Sequence, residues 1–268
     1  MPTDLADAAR SAVPVALLSV AAALPPTRPF VLAGLVAGFA VAVRRDAPVR
    51  WAWAAPIPIA VSLCWGLLPA PSAAAGGVDC TDLGSPPAVW RLAEACLVLG
   101  TLAVLGYILR ARRSDLALRW PARPIVRLAV VGAVILGPIG LVLGALLARP
   151  FFGAFELDLS RPLFLLPALI FAIANGMMEE VAYRGALLGW TARVTGTWVA
   201  LIAQAVVFGL IHGAGADVGG SPLALTIALA VGGFLAGVIT LRTRSLLVPI
   251  AWHVALDLPL YAYLACRA

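Results

Sequence analysis

The chain has 268 residues, of which 62% are hydrophobic and only 12% charged, and its mean hydropathy is +1.00. A soluble domain of this length carries about twice that charge, so the composition is that of an integral membrane protein. The net charge of +6 comes from 19 basic residues, all of them arginine, spread between apolar runs. That spread suits topology-setting loops and argues against a nucleic-acid partner.

A helix needs about 20 apolar residues to cross the hydrocarbon core. On that ruler nine candidate spans follow in chain order: 11–25, 29–43, 51–69, 88–109, 125–148, 163–188, 197–212, 222–241 and 245–265. The expected fold class is therefore all-α, a polytopic transmembrane bundle. The first span is short and broken from the second by Pro25 and Pro26. Those two form a tight hairpin or a re-entrant pair, and eight spans is the alternative count. Only Arg10 precedes the first apolar run, against Asp4 and Asp7, which is a poor signal-peptide start and favours an uncleaved helix.

Arginines 44, 45 and 50, then 110 through 127, fall on one side of such a bundle, while the segments 70–87 and 213–221 hold no basic residue. The arginine-rich loops are expected in the cytoplasm, with the N-terminus inside. Cys64, Cys80, Cys96 and Cys266 lack zinc-type spacing. Cys80 and Cys266 share the outer face in this topology and are candidates to pair. The glycine-rich stretch 213–220 lacks the Lys and Ser/Thr of a phosphate loop.

Ionisable groups inside apolar helices are costly and read as functional by default. Glu179 and Glu180 are adjacent in MMEEVAYRG, and the only two histidines are His212 and His253. Three pairs share i,i+4 spacing, which puts both members on one helix face: Glu180 with Arg184, Phe208 with His212, and His253 with Asp257. Arg184 can neutralise Glu180, and the plainer reading of that pair is a structural ion pair that fixes helix register. Neighbours on a helix point about 100° apart, so Glu179 faces elsewhere and is the carboxylate left free for another role. The turn between the sixth and seventh spans falls near Thr195–Gly196, with Trp190 and Trp198 expected as interfacial markers. Glu179 and His212 lie at similar depth from that turn, roughly 24–26 Å at the α-helical rise.

A histidine in an apolar helix is more often a packing residue than a catalyst. Two of them, level with Glu179 or paired with Asp257, shift the balance towards chemistry. A carboxylate and an imidazole together can activate water, and His253 with Asp257 can stabilise an oxyanion. Alternatively, Glu179, His212 and His253 would supply three ligands to a catalytic zinc ion, Zn2+. The chain has no HExxH, no GxSG-type serine with a free histidine partner and no GxGD.

The three motifs in order, EExxxR at 179–184, FxxxH at 208–212 and HxxxD at 253–257, resemble those of the CPBP family: type II CAAX prenyl proteases and related bacteriocin-processing or immunity membrane proteins. The resemblance covers about residues 160–260. It implies a catalytic transmembrane domain over 121–268 and accessory helices over 1–120. It also implies an intramembrane endopeptidase in which Glu179 and His212 activate water, His253 and Asp257 form the oxyanion side, and Glu180 and Arg184 support the site. Members are described both as metal-dependent and as glutamate-dependent, and the metal-free version is preferred for this chain. Asp257 stands where the better-known enzymes carry Asn. The implied partners are the lipid bilayer and a membrane-bound peptide or protein substrate, in bacteria one that is not prenylated. Two other readings are a non-catalytic immunity or regulatory protein of the same fold, and a proton-coupled transporter.

Overall fold

The computed structural model describes residues 5–68, 86–152, 165–213 and 221–265. No strand occurs among them, and every regular element is helical. In order these are α1 (Leu5–Ala23), a 3-10 turn (Pro25–Thr27), α2 (Arg28–Arg44), α3 (Arg50–Ala54), α4 (Ile57–Trp65) and α5 (Pro86–Leu109). A second 3-10 turn (Arg113–Leu116) leads to α6 (Arg123–Phe152), α7 (Leu165–Glu179), a π-helical segment (Glu180–Leu187) and α8 (Leu188–Thr195). Helices α9 (Thr197–Gly213), α10 (Pro222–Thr243) and α11 (Leu247–Ala265) complete the bundle. Cys80, Cys266 and nearly all of the two arginine-free loops lie outside the described residues.

Five described stretches are long and apolar enough to cross a bilayer: Pro25–Arg44, Pro87–Leu109, Arg123–Gly140, Leu165–Thr195 and Pro222–Thr243. Shorter apolar helices cover Ala12–Ala23, Thr197–Gly213 and Leu247–Pro259. The span expected at 51–69 is instead two short helices separated at Ala55 and Pro56. Prolines 56 and 58 withhold the amide donors that a continuous helix needs there. At 1.5 Å per residue α4 is only about 14 Å long, and its residues Ile57, Ile59 and Ala60 are buried in the core.

The rod running from α7 through the π segment to α8 is the centre of the bundle. Its apolar window is 67% buried, whereas the other four long stretches bury 11–33% of theirs. Helices α5 and α11 pack on α7, α6 packs on α11, and α10 packs on α9. The outward faces carry large apolar side chains such as Phe30, Val104, Val134 and Leu223, as a surface facing acyl chains requires. Gly196 turns the chain from α8 into α9 with φ of +88°, a region open to glycine at little cost.

One expectation at this turn is corrected. Trp198 is exposed, but Trp190 is fully buried and packs edge-on against Trp51 with centroids 5.9 Å apart. Helices α1 and α3 and the second 3-10 turn pack against α8, so an indole at the right sequence distance from the turn becomes core.

Helices α9 and α10 meet through small residues. A Cβ on Gly209 or Gly213 would collide with Thr226, including its backbone, and one on Gly233 or Gly237 would press on Phe208 or on Leu201 and Gln204. Such spacing lets two backbones approach where no hydrophobic driving force separates protein from lipid. Gln204 uses the proximity to donate from Nε2 to the Gly233 carbonyl at 2.9 Å. Replacing Gly209 by Val should destabilise the fold by about 1–3 kcal/mol, the usual cost of overpacking. Thermal unfolding in detergent measures this, and an unchanged Tm would contradict the close contact.

Candidate active site

The π segment begins at Glu180, directly after Glu179. Its i→i+5 hydrogen bonds make a wider turn than an α-helix, a form that recurs at functional sites. The consequence is visible at His253 of α11, which lies between the two adjacent carboxylates. Its Nδ1 is 2.8 Å from Glu180 Oε1 and its Nε2 is 3.7 Å from Glu179 Oε2. Glu180 Oε1 also meets Arg184 Nη1 at 3.1 Å, with both side chains 2% exposed. The expected Glu180–Arg184 pair is therefore present, and it extends to a histidine on another helix.

Gly176 faces α11 at this point. A Cβ there would stand 3.5 Å from His253 Cβ, 3.4 Å from the Val254 amide nitrogen and 3.1 Å from Val254 Cγ2, which would have to give by a few tenths of an ångström.

The second histidine arrives on α9. His212 Nε2 is 3.5 Å from Glu179 Oε2, and Nδ1 is 2.7 Å from the Phe208 carbonyl. A carbonyl only accepts, so Nδ1 carries the proton and Nε2 is the nitrogen turned to the carboxylate. The Phe208 ring has a part of its own. It lies 4.3 Å from the His212 ring, 5.0 Å edge-on from Tyr183, and its face holds the Arg184 guanidinium at 4.3 Å. One aromatic thus ties the histidine to the arginine of the first motif.

Asp257 lies one turn beyond His253, with Oδ2 3.5 Å from His253 Nε2. The closest carboxylate to that ring is Glu180, not Asp257. Asp257 Oδ2 instead accepts a 2.7 Å hydrogen bond from Asn175 Nδ2, which is also 3.5 Å from His253 Nε2.

Glu179, His212 and Tyr183 line a cavity of about 180 Å³ whose opposite wall comes from α4 and α5 through Ile59, Ser62 and Arg91. Glu179 Oε2 is buried there with no hydrogen-bond partner among the described residues. Glu94, also buried, binds that wall together: its Oε1 accepts from Ser62 Oγ at 2.6 Å and its Oε2 from Arg91 Nη1 at 2.7 Å.

All six candidates drawn from the sequence, Glu179, Glu180, Arg184, His212, His253 and Asp257, thus gather at one place from three helices. Sequence reasoning missed Asn175, whose signal was a polar residue one helical turn before Glu179. It also missed the Ser62–Glu94–Arg91 wall. A single arginine near a helix start reads as interfacial, and nothing local says that α5 packs on α7. The donor types at Glu179, His212 and His253 would suit zinc. Among the described residues, however, no three His, Cys, Asp or Glu side chains are arranged to hold a metal ion.

Residues 161–259 match the family model described as type II CAAX prenyl endopeptidase Rce1-like. No curated protein and no solved structure matches the chain at a significant level. The match takes in all three motifs and the whole of α7 to α10, and it ends two residues after Asp257. The likeness to the CAAX protease (CPBP) family thus lies in residues 161–259, within a longer helical chain that has five stretches able to cross a membrane among its described residues.

Proposed function

We propose that the protein is an intramembrane endopeptidase that hydrolyses a peptide bond in a membrane-associated peptide or protein, using water activated by Glu179 and His212. The observation that carries this reading is the buried Glu179 Oε2, without a hydrogen-bond partner among the described residues and faced by the Nε2 atoms of both histidines at 3.5 and 3.7 Å. A buried carboxylate oxygen without a donor is costly, and a water molecule offers one. That water gives a hydrogen bond to Glu179 Oε2, while His212 Nε2, freed as an acceptor by the Nδ1 contact to Phe208, fixes its second hydrogen. As the oxygen attacks the scissile carbonyl, Glu179 takes the proton and later returns it to the leaving amine.

The oxyanion falls on the His253 side. Imidazolium His253 donates from Nδ1 to Glu180 and presents Nε2–H beside Glu179. One N–H of Asn175 goes to Asp257, and the other remains for the developing charge. Arg184 and Glu180 hold the ring in place and are positioning residues. Proton transfers are assigned to side chains, the metal-free reading of Glu179, His212 and His253.

Residues 121–268 act as the catalytic unit and the helices within 1–120 as accessory elements, two of which close the cavity. The bundle is oriented with its arginine-rich loops in the cytoplasm and the N-terminus inside, which the arginine-free segments 70–87 and 213–221 support. The cavity's apolar walls and burial inside the bundle suit a substrate delivered from the bilayer.

Purified protein incubated with a membrane-peptide library should cleave, and Glu179→Ala or His212→Ala should lower the rate about 10²–10⁴-fold, the range for a lost general base. Cleavage that both variants retain would sink the mechanism. A zinc chelator in the same assay should leave the rate unchanged; loss reversed by added zinc would recast Glu179, His212 and His253 as ligands. Asn175→Ala should cost about 10²–10³-fold in kcat, as for an oxyanion donor. Asp257→Asn, which still offers Asn175 an acceptor, should stay within about tenfold because one neutral hydrogen bond replaces a charged one. The reverse ranking of these two variants would return the donor role to position 257.

A further inference from the structure

Arg184 also lines a second cavity, of about 350 Å³, distinct from the one that holds Glu179 and His212. Its walls are the 3-10 turn at Arg113–Leu116 with the loop after it, helix α8 and the C-terminal end of α10. Four arginines line it, Arg119, Arg184, Arg193 and Arg244, against the single acid Asp115. Asp115 is already spent: its Oδ1 accepts from Arg193 Nη2 at 2.5 Å and its Oδ2 from the Arg112 backbone amide at 2.7 Å. Glu180 answers Arg184. Arg119 and Arg244 have no ion pair among the described residues.

A second observation points to a ligand. Arg184 is 3% exposed, yet its Nε has no hydrogen-bond partner among the described residues. A guanidinium aims several donors in a fixed plane, and a buried one left without an acceptor is costly. An oxyanion in this cavity would satisfy it. The C-terminal carbonyls of α10 oppose an anion by about half a unit charge, which the two unpaired guanidiniums exceed.

The surroundings identify the source of that anion. Arg119 is flanked by Leu118, 42% exposed, and Trp120, 95% exposed, a basic and aromatic combination that seats at the headgroup level of a bilayer. Leu188 and Leu241 add apolar wall. We propose that this cavity binds the phosphate of an anionic lipid headgroup, held bidentately by Arg119 and Arg244 and completed by Arg184. This site stands whether or not the neighbouring cavity cleaves peptides.

Native mass spectrometry of the purified full-length protein, titrated in detergent with phosphatidylglycerol or phosphatidylcholine, tests it. One phosphatidylglycerol should bind per chain in preference to phosphatidylcholine. The double variant Arg119→Gln/Arg244→Gln should weaken that binding about 30-fold, the effect of two basic contacts at a membrane surface. Arg44→Gln/Arg45→Gln, which removes the same charge from the end of α2, should bind as wild type. Undiminished binding by the first variant, or equal weakening in the second, would overturn the site. Displacement of the lipid by inorganic phosphate at matched concentration would overturn its assignment to a headgroup.

Discussion

Everything at the centre of this bundle depends on one carboxylate oxygen. Glu180 Oε1 forms an ion pair with Arg184 Nη1 and a hydrogen bond with His253 Nδ1, and so joins the middle of the central rod to α11. Taking charges out of water costs several kcal/mol per ion, and removing one partner of a buried pair costs about 3–5 kcal/mol because the other is stranded. Glu180 is 2% exposed and Arg184 3%, so neither finds compensation in solvent. A structural reading of this ion pair and a functional one therefore converge. The contact that stabilises the rod is the one that holds the His253 ring with Nε2 towards Glu179.

That arrangement requires helices to come closer than ordinary side chains permit. Gly209 with Gly213 brings α10 against α9 in this way, while Gly176 leaves room for Val254 of α11 beside α7. His212 sits between the last two glycines in sequence, so the packing that sets the distance between α9 and α10 also sets where the imidazole stands. In a bilayer this matters more than in water, since close van der Waals contact replaces the hydrophobic effect as the force between helices. Bulk added at these positions acts on the site without touching it.

Much of this was legible in the sequence because membrane composition makes polar residues conspicuous. The all-helical class, the convergence of Glu179 with His212 and the turn at Gly196 followed from apolar run lengths, the helical rise and i,i+4 spacing. What was hidden lay in tertiary packing. The 100° rule separated Glu179 from Glu180, but the π turn and the position of α11 between them let both carboxylates address one ring. Trp190 had the sequence distance of an interfacial residue and became core because α3 packs against it. The run at 51–69 had the composition of a membrane helix, yet its prolines divide it into two short pieces, one packed on Trp190 and the other lining the cavity. Hydropathy counts apolar atoms, and it does not say whether lipid or protein covers them.

The relation between Asn175 and Asp257 sharpens what the third motif does. An acid at position 257 offers only acceptors when ionised, so it cannot by itself present an N–H to a developing oxyanion. Asn175 carries two N–H groups, gives one to Asp257 Oδ2 at 2.7 Å and lies 3.5 Å from His253 Nε2. The amide that better-known enzymes of the resembled family place on the last helix is thus matched here by one on α7, one turn before Glu179. In the proposed mechanism Asp257 serves by aiming an amide rather than by being one. The pair also explains how a third carboxylate is tolerated beside Glu179 and Glu180: its charge is met by a donor from the same helix that carries the other two.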